Sequence, residues 1–349
     1  MRYLNVLLIL VPVAIALDLL GVGSTWVFIP SAITLIPLAG LLGQGTEQVA
    51  LYTGQQIGGL LNATLGNAAE LIITIVAIRE GLLQLVKASI SGSIIGNMLL
   101  VLGASLLAGG LKNGRQRFDR QVASLSATMM TLAVVALVIP ALFALGPNRL
   151  TDENIEFLSI GVAVVLMVLY GLYVYYTIFA HADGPAAAPP LPAETPHWSL
   201  RRGIAVLVAA TAGVVVMSEI LVGSVEPVVE AWGVSELFLG VILIPIIGNV
   251  AEHVVAIQVA FDNKMDLSLG IAIGSSLQIA LFVAPVLVFV SLLLGNPMTL
   301  VFVEYELAAL FGAIVVATLI SVDGQSNWLE GVQLIAVYVI LALGFFFLS

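Results

Sequence analysis

Apolar stretches of about 20 residues, each closed by a few polar positions, recur along the whole chain. With margins of several residues they run 4–20, 25–43, 50–79, 83–108, 121–144, 156–180, 203–223, 236–260, 267–294, 300–320 and 328–348. A helix of that length covers roughly 30 Å of hydrocarbon, and nothing alternates with the period of a strand. The pattern therefore predicts an all-α integral membrane protein with about 11 transmembrane helices. One long stretch breaks the rhythm. "HADGPAAAPPLPAETPHWSLRR", 181–202, is too rich in proline and alanine to pack a core and reads as a flexible hinge between two halves.

Composition agrees with this environment: 60% of the residues are hydrophobic and 9% charged, and the mean hydropathy is +1.14. The absence of cysteine removes disulfides, thiol nucleophiles and thiolate metal sites, so metal chemistry is left to oxygen ligands or to the three histidines. The net charge of -10 comes from carboxylates spread singly, not from an acidic tail. Residues 4–20 follow Arg2 in the manner of a signal peptide, but no A-x-A-like cleavage site is present, and a retained first span is expected. Of the 11 basic residues, Arg2, Lys112, Arg115, Arg117, Arg120, Arg201, Arg202 and Lys264 share one side of an eleven-span chain, and only Arg79, Lys87 and Arg149 fall opposite. That asymmetry predicts a cytoplasmic amino terminus and an outer carboxyl terminus, and with no extended region before the first span the cytoplasmic membrane is the expected location. On the same reading "YGLYVYY", 170–176, is an inner aromatic belt, and Glu226, Glu230 and Glu236 form a solvated acidic face in an outer loop.

Against this background "LGNAAELIIT", 65–74, places Asn67 and Glu70 inside a span, and "IIGNVAEHVV", 246–255, repeats the pattern G-N-x-A-E with Asn249 and Glu252. Gly66 and Gly92 are 26 residues apart, as are Gly248 and Gly274, and each later glycine opens a Gly-Ser pair with Ser93 or Ser275. The copies are five spans apart, an odd number, so they cross the bilayer in opposite senses. The domains that follow are a first helix (1–24), a first five-helix repeat (25–180), a cytoplasmic linker (181–202) and a second, inverted five-helix repeat (203–349). Such repeats place a substrate site near the midplane where the halves meet. In each copy asparagine and glutamate stand at i and i+3 and share a helix face, and the preceding glycine permits a kink that frees backbone carbonyls. Two carboxylates, two amide oxygens and some carbonyls make a hard oxygen cage of the kind calcium takes with 6 to 8 ligands. A lone carboxylate at the bilayer centre costs on the order of 3 kcal/mol, so Glu70 and Glu252 should hold a cation or take up protons. The candidate ligands are Glu70, Glu252, Asn67 and Asn249.

The stretches "GGLLNATLGNAAELI", "GSIIGNMLLVLGAS", "IGNVAEHVVAI" and "IGSSLQIALF" resemble the signature regions of the calcium/proton antiporters, the cation/proton exchanger branch of the cation/calcium exchanger superfamily. The sodium/calcium exchangers carry a related pattern with serine or threonine and proline before the acidic residue. The resemblance spans nearly the whole chain, including the plan of one plus five plus five spans. It implies that Glu70 and Glu252 bind calcium and protons in turn with Asn67 and Asn249 beside them, and that Ser93, Asn97, Ser275 and Gln278 face the transport path. Calcium is then transported substrate and no cofactor is expected; the partners are calcium, protons and the lipid bilayer, not nucleic acid. Eukaryotic members often carry an acidic segment between the halves, where this chain has a short proline-rich linker.

Other readings stand beside these. Gly92 with Gly96, and Gly54 with Gly58, have the small-xxx-small spacing of close helix packing, and Ser93, Ser275 and Asn97 equally suit interhelical hydrogen bonds. His253, about 100° around the helix from Glu252, reads as a packing or proton-tuning residue rather than a metal ligand. Glu47 and Glu219 are candidate entry-path acids. The expected activity is calcium/proton exchange by alternating access. The alternatives are a cation channel or an exchanger using another coupling ion or cation, such as sodium or manganese. An enzyme is not expected: there is no cysteine and no H-E-x-x-H, and of His181, His197 and His253 only the last lies in a span.

Overall fold

The computed structural model describes residues 4–145, 149–177, 196–321 and 323–348. A 3-10 turn, Leu4–Ile9, leads into α1 (Leu10–Leu19), followed by α2 (Ser24–Thr53), α3 (Gln55–Leu65), α4 (Ala68–Arg79) and α5 (Leu83–Ile95). A π-helical turn, Gly96–Val101, joins α5 to α6 (Leu102–Asn113); β1 (Gln116–Arg117), α7 (Arg120–Ala144) and α8 (Asp152–Tyr175) follow. After the linker come α9 (Leu200–Gly223), α10 (Val225–Trp232) and α11 (Glu236–Phe238), a π turn at Leu239–Leu243, α12 (Ile244–Phe261) and α13 (Met265–Gln278). A third π turn, Ile279–Val283, precedes α14 (Ala284–Leu293), and α15 (Glu304–Ser321), β2 (Gln325–Ser326) and α16 (Trp328–Phe347) complete the chain.

Among the described residues nine helices are long and apolar enough to cross a bilayer, with Leu4–Leu19 as a shorter apolar helix and α15 as one of 18 residues. Several boundaries differ from the sequence expectation. The polar run 44–49 is not a loop: α2 continues through it, the Thr46 hydroxyl donates to the Leu42 carbonyl at 3.0 Å, and the helix stops only at Gly54, whose φ of +82° suits glycine. The third span is divided at Gly66 and Asn67 between α3 and α4, although the Gly66 amide still donates to the Asn62 carbonyl at 2.9 Å and the Leu71 amide to the Asn67 carbonyl at 3.0 Å. α9 starts at Leu200, three residues early, capped by Ser199, whose Oγ accepts from the Arg202 amide at 3.3 Å. α15 starts at Glu304 instead of 300 because residues 297–303, opened by Pro297, are not helical. Glu226 and Glu230 are not in a loop but on the exposed face of α10, while Val225 and Val228 are buried. His181 and the hinge up to residue 195 lie outside the described residues.

The chain packs as two compact units that are not its sequence halves. The first comprises Met1–Val76, Val168–Trp232 and Ile247–Ala251. Its main contact is α2 on α9, antiparallel and glycine-assisted. A β-carbon on Gly213 would lie 2.7 Å from Leu38, one on Gly45 3.2 Å from Leu207, and one on Gly203 3.2 Å from Val49. α1 and α10 pack on the same α2, where Phe28 and Trp232 meet edge to face at 5.6 Å. Tyr170 is no belt residue. It is buried, and its hydroxyl donates to the Ala63 carbonyl at 2.7 Å.

The second unit comprises Ala77–Met167, Gly233–Ile246 and Glu252–Ser349. Here α5 lies directly on the π turn Leu239–Leu243: Gly92 meets the Val241 backbone and Gly240 meets Ala88, with no room for a β-carbon on either glycine. α6 packs on α16 through Gly103 and Gly331, while α13 and α15 pack on α7. At one end of this unit β1 pairs antiparallel with β2. There Lys112 reaches Asp262 at 3.5 Å, and the Gln116 side chain donates to the Ala260 carbonyl at 2.9 Å. Lys112, Arg115, Arg117, Arg120 and Lys264 thus gather at one end of the unit. At the other end the Asn296 amide donates to the Ile78 carbonyl, beside Arg79.

Candidate functional site

The sequence-selected residues fall into two groups, one per unit. In the first, Asn67, Glu70 and Asn249 are buried, with 1%, 5% and 2% of their surface exposed. The break at Gly66–Asn67 puts Glu70 in the first turn of α4, where the helix amino terminus favours a carboxylate. Gly248, beside Asn249, faces that carboxylate: a β-carbon built on it would stand 3.2 Å from Glu70 Oε1. Glycine is what lets the backbone of α12 approach. The second copy of the motif has no such break, since α12 runs unbroken through Gly248 and Asn249.

The second group is a hydrogen-bonded series. The Asn97 amide donates to Ser275 Oγ at 3.2 Å, and the Ser275 hydroxyl in turn donates to the carboxylate of Glu252. The remaining carboxylate oxygen, Glu252 Oε2, is buried and has no hydrogen-bond partner among the described residues. Ser93 and Ser275 are buried and Gln278 is half-buried in the same unit. A buried acceptor left bare costs about 1–3 kcal/mol, and a proton or a metal cation bound there would remove that penalty.

The separation between copies, 182 residues from Gly66 to Gly248 and from Gly92 to Gly274, also relates features that the sequence does not flag. Shifted by it, the π turn Gly96–Val101 falls on 278–283, and the structure has a π turn at Ile279–Val283. Each follows its serine, Ser93 or Ser275, within four residues. Wide turns of this kind occur often at functional sites, and no composition signal distinguishes "GNMLLV" from "IALFV".

Glu47 and Glu219 are exposed on α2 and α9. The pairing of these helices places Glu219 opposite residues near 32, roughly 20 Å along the axis from Glu47. They stand toward opposite ends of the pair and do not meet. Among the glycines named for packing, Gly92 and Gly58 have no room for a side chain, a β-carbon on Gly58 falling 2.7 Å from the Ala50 carbonyl oxygen, whereas a β-carbon on Gly96 would meet nothing within 4 Å. His253 is half-buried, and no cluster of three His, Asp or Glu with metal-site geometry occurs among the described residues.

Residues 23–179 and 202–347 match the model of a family described as sodium/calcium exchanger protein. A Ca(2+)/H(+) antiporter of Synechocystis sp. is 45% identical over 98% of this chain and 96% of its own length. The Ca(2+)/H(+) antiporter ChaA of Bacillus subtilis is 44% identical over 99% of both. The solved structure of native YfkE superposes with a TM-score of 0.86 at 41% identity, covering 98% of this chain and 99% of that one. Both G-N-x-A-E copies, both Gly-Ser pairs and the two matched π turns lie within these shared regions, and the chain belongs to the sodium/calcium exchanger protein family.

Proposed function

We propose that this chain is a secondary active transporter that exchanges calcium for protons across the cytoplasmic membrane by alternating access, with Glu70 and Glu252 binding the two ions in turn. The observation that carries the reading is Glu252 Oε2, a buried carboxylate oxygen without a hydrogen-bond partner among the described residues, on a group whose other oxygen is held by Ser275. Proton and cation compete for such an atom, and their relative concentrations decide which one holds it. Glu70 offers the corresponding carboxylate of the first copy, and Asn67 and Asn249 add neutral amide oxygens of the kind a hard divalent cation takes. Ser93, Asn97, Ser275 and Gln278 line the path, and Glu47 and Glu219 serve as entry acids.

In this reading the basic loops face the cytoplasm, with the amino terminus inside and the carboxyl terminus outside. Each net charge moved is worth about 2.3 kcal/mol per 100 mV, so the exchange ratio decides whether the membrane potential helps drive the cycle. The deciding experiment is proton flux in proteoliposomes with an internal pH dye when external calcium is added, comparing the natural protein with Glu70→Gln and Glu252→Gln. Exchange should vanish in both variants while both remain folded. Calcium entry without a proton signal in the natural protein would remove the antiport reading, and transport retained in either variant would remove that glutamate from the site.

A further inference from the structure

The second unit holds two charged side chains that the exchange site does not use, Lys87 on α5 and Glu306 on α15. Glu306 is 1% exposed, and both its oxygens are engaged. Oε1 accepts from Ser91 Oγ at 2.6 Å and Oε2 from the Val303 amide at 2.9 Å. Lys87 Nζ donates to the Val301 carbonyl at 2.8 Å, and its charge acts on Glu306. The segment between α14 and α15 is tied down along its length. The Met298 amide donates to Ser291 Oγ at 2.8 Å, the Leu300 amide to Ser159 Oγ at 3.0 Å, and the Asn296 side chain to the Ile78 carbonyl at 2.9 Å. Met298, Leu300 and Phe302 are buried between these ties.

This cluster stands outside the internal symmetry. Adding 182 to Lys87 and Ser91 gives Leu269 and Ile273, and subtracting it from Glu306 gives Ser124, so neither copy repeats it. Glu306 is buried and Lys87 half-buried; removing one of two interacting charges in such a setting leaves the other uncompensated, whereas replacing both by neutral groups often carries little penalty. Such an arrangement is poor value as plain stabilisation, but it fixes geometry. What it fixes is α5: Ser91 lies six residues before Asn97, roughly 9 Å along the axis, and Asn97 donates to the Ser275 hydroxyl that holds Glu252.

We propose that Lys87, Ser91 and Glu306 are positioning residues for exchange, clamping α5 to α15 and to the segment 297–303 so that Asn97 keeps its register with Ser275 and Glu252. The proposal rests on the reading of Glu252 as an ion-binding carboxylate. Breaking the clamp should loosen calcium binding and leave the turnover of loaded protein near its natural value. The test is calcium-driven proton flux in proteoliposomes over a range of calcium, with KM and maximal rate measured for Lys87→Met, Glu306→Gln, the double variant, Ser91→Ala and, as reference, Asn97→Ala. Lys87→Met and Glu306→Gln should each raise the calcium KM by about tenfold, in keeping with the penalty for sub-ångström misplacement of binding groups, with the maximal rate preserved. The double variant, with no uncompensated charge, should recover most of that loss. Ser91→Ala, which removes one hydrogen bond and no charge, keeps the test available if a single charge variant fails to fold, and it should raise KM severalfold. Natural KM in Ser91→Ala and the single charge variants, with KM raised in Asn97→Ala, would overturn the clamp; so would a double variant no better than its parents. An unchanged KM in Asn97→Ala would instead break the chain through Ser275 on which both the clamp and the site reading depend.

Discussion

Replacing Gly248 by alanine tests the first group of site residues at one atom. The added methyl would lie 3.2 Å from Glu70 Oε1, 3.4 Å from Cδ and 3.5 Å from Cγ, so only the oxygen is too close, by a few tenths of an ångström. The obstacle is the end of a side chain, not backbone, and rotating the carboxylate aside is mild overpacking, about 1 kcal/mol. If Glu70 must face α12 to bind calcium, that strain appears directly as lost affinity, about fivefold in KM. The assay is calcium-dependent proton flux in proteoliposomes, alongside thermal melting in detergent. Gly270→Ala on α13 is the control, because a β-carbon there meets nothing within 4 Å. An unchanged KM in a folded Gly248→Ala protein would refute the argument that the Glu70 carboxylate works in the position this structure gives it.

Three further outcomes are expected. Gly92→Ala drives a methyl into the Val241 backbone and should destabilise the protein by about 2–3 kcal/mol, seen as a lower melting midpoint, whereas Gly96→Ala should melt as the natural protein does; equal melting of the two would contradict the packing described. Ser275→Ala removes the acceptor of Asn97 and the donor to Glu252 together, worth about 1–3 kcal/mol, and should raise the calcium KM at least severalfold; Ser275→Thr, which keeps the hydroxyl, should restore it, and natural affinity in the alanine variant would disconnect Ser275 from binding. His253→Asn should transport with little change in calcium KM, and an inactive but folded variant would move His253 into the ion site.

The sequence carried the apolar character and approximate extent of most spans because the bilayer imposes one length and one solvent on all of them. It also carried the paired G-N-x-A-E motif, because the same short polar pattern stands out in two otherwise apolar helices. It failed where packing overrides local composition. "GQGTEQ" reads as a loop, yet it stays helical because Thr46 bonds back to Leu42, Gly45 admits Leu207 and the Gln48 side chain accepts from the His197 and Trp198 amides. "PMTLVFV" reads as membrane span because it is apolar, but its amides and carbonyls are paired with Ser291 and Glu306 at its flanks and with Ser159 and Lys87, which are far away in sequence. Of the candidate site, Glu70, Glu252 and their asparagines were legible as isolated polar positions. The approach of Gly248 to Glu70 and the engagement of Glu306 were not, since neither has a local signature.

The paired π turns have a consequence for the length of the chain. Each is equivalent to one residue inserted into an α-helix, and an inserted residue turns everything beyond it by about 100° around the axis. Removing Leu99 would let the helix close into regular α form and swing Gly103 away from Gly331, and Gly110 away from Trp328, contacts that need a bare glycine surface. The helix is thus phased by counting: its first half is aimed by Ser93 and Asn97, its second by the glycines of α6, and the one extra residue between them lets both aims hold at once. A conservative substitution at Leu99 or Leu281 leaves that phase intact, while a single deletion at either position would undo it.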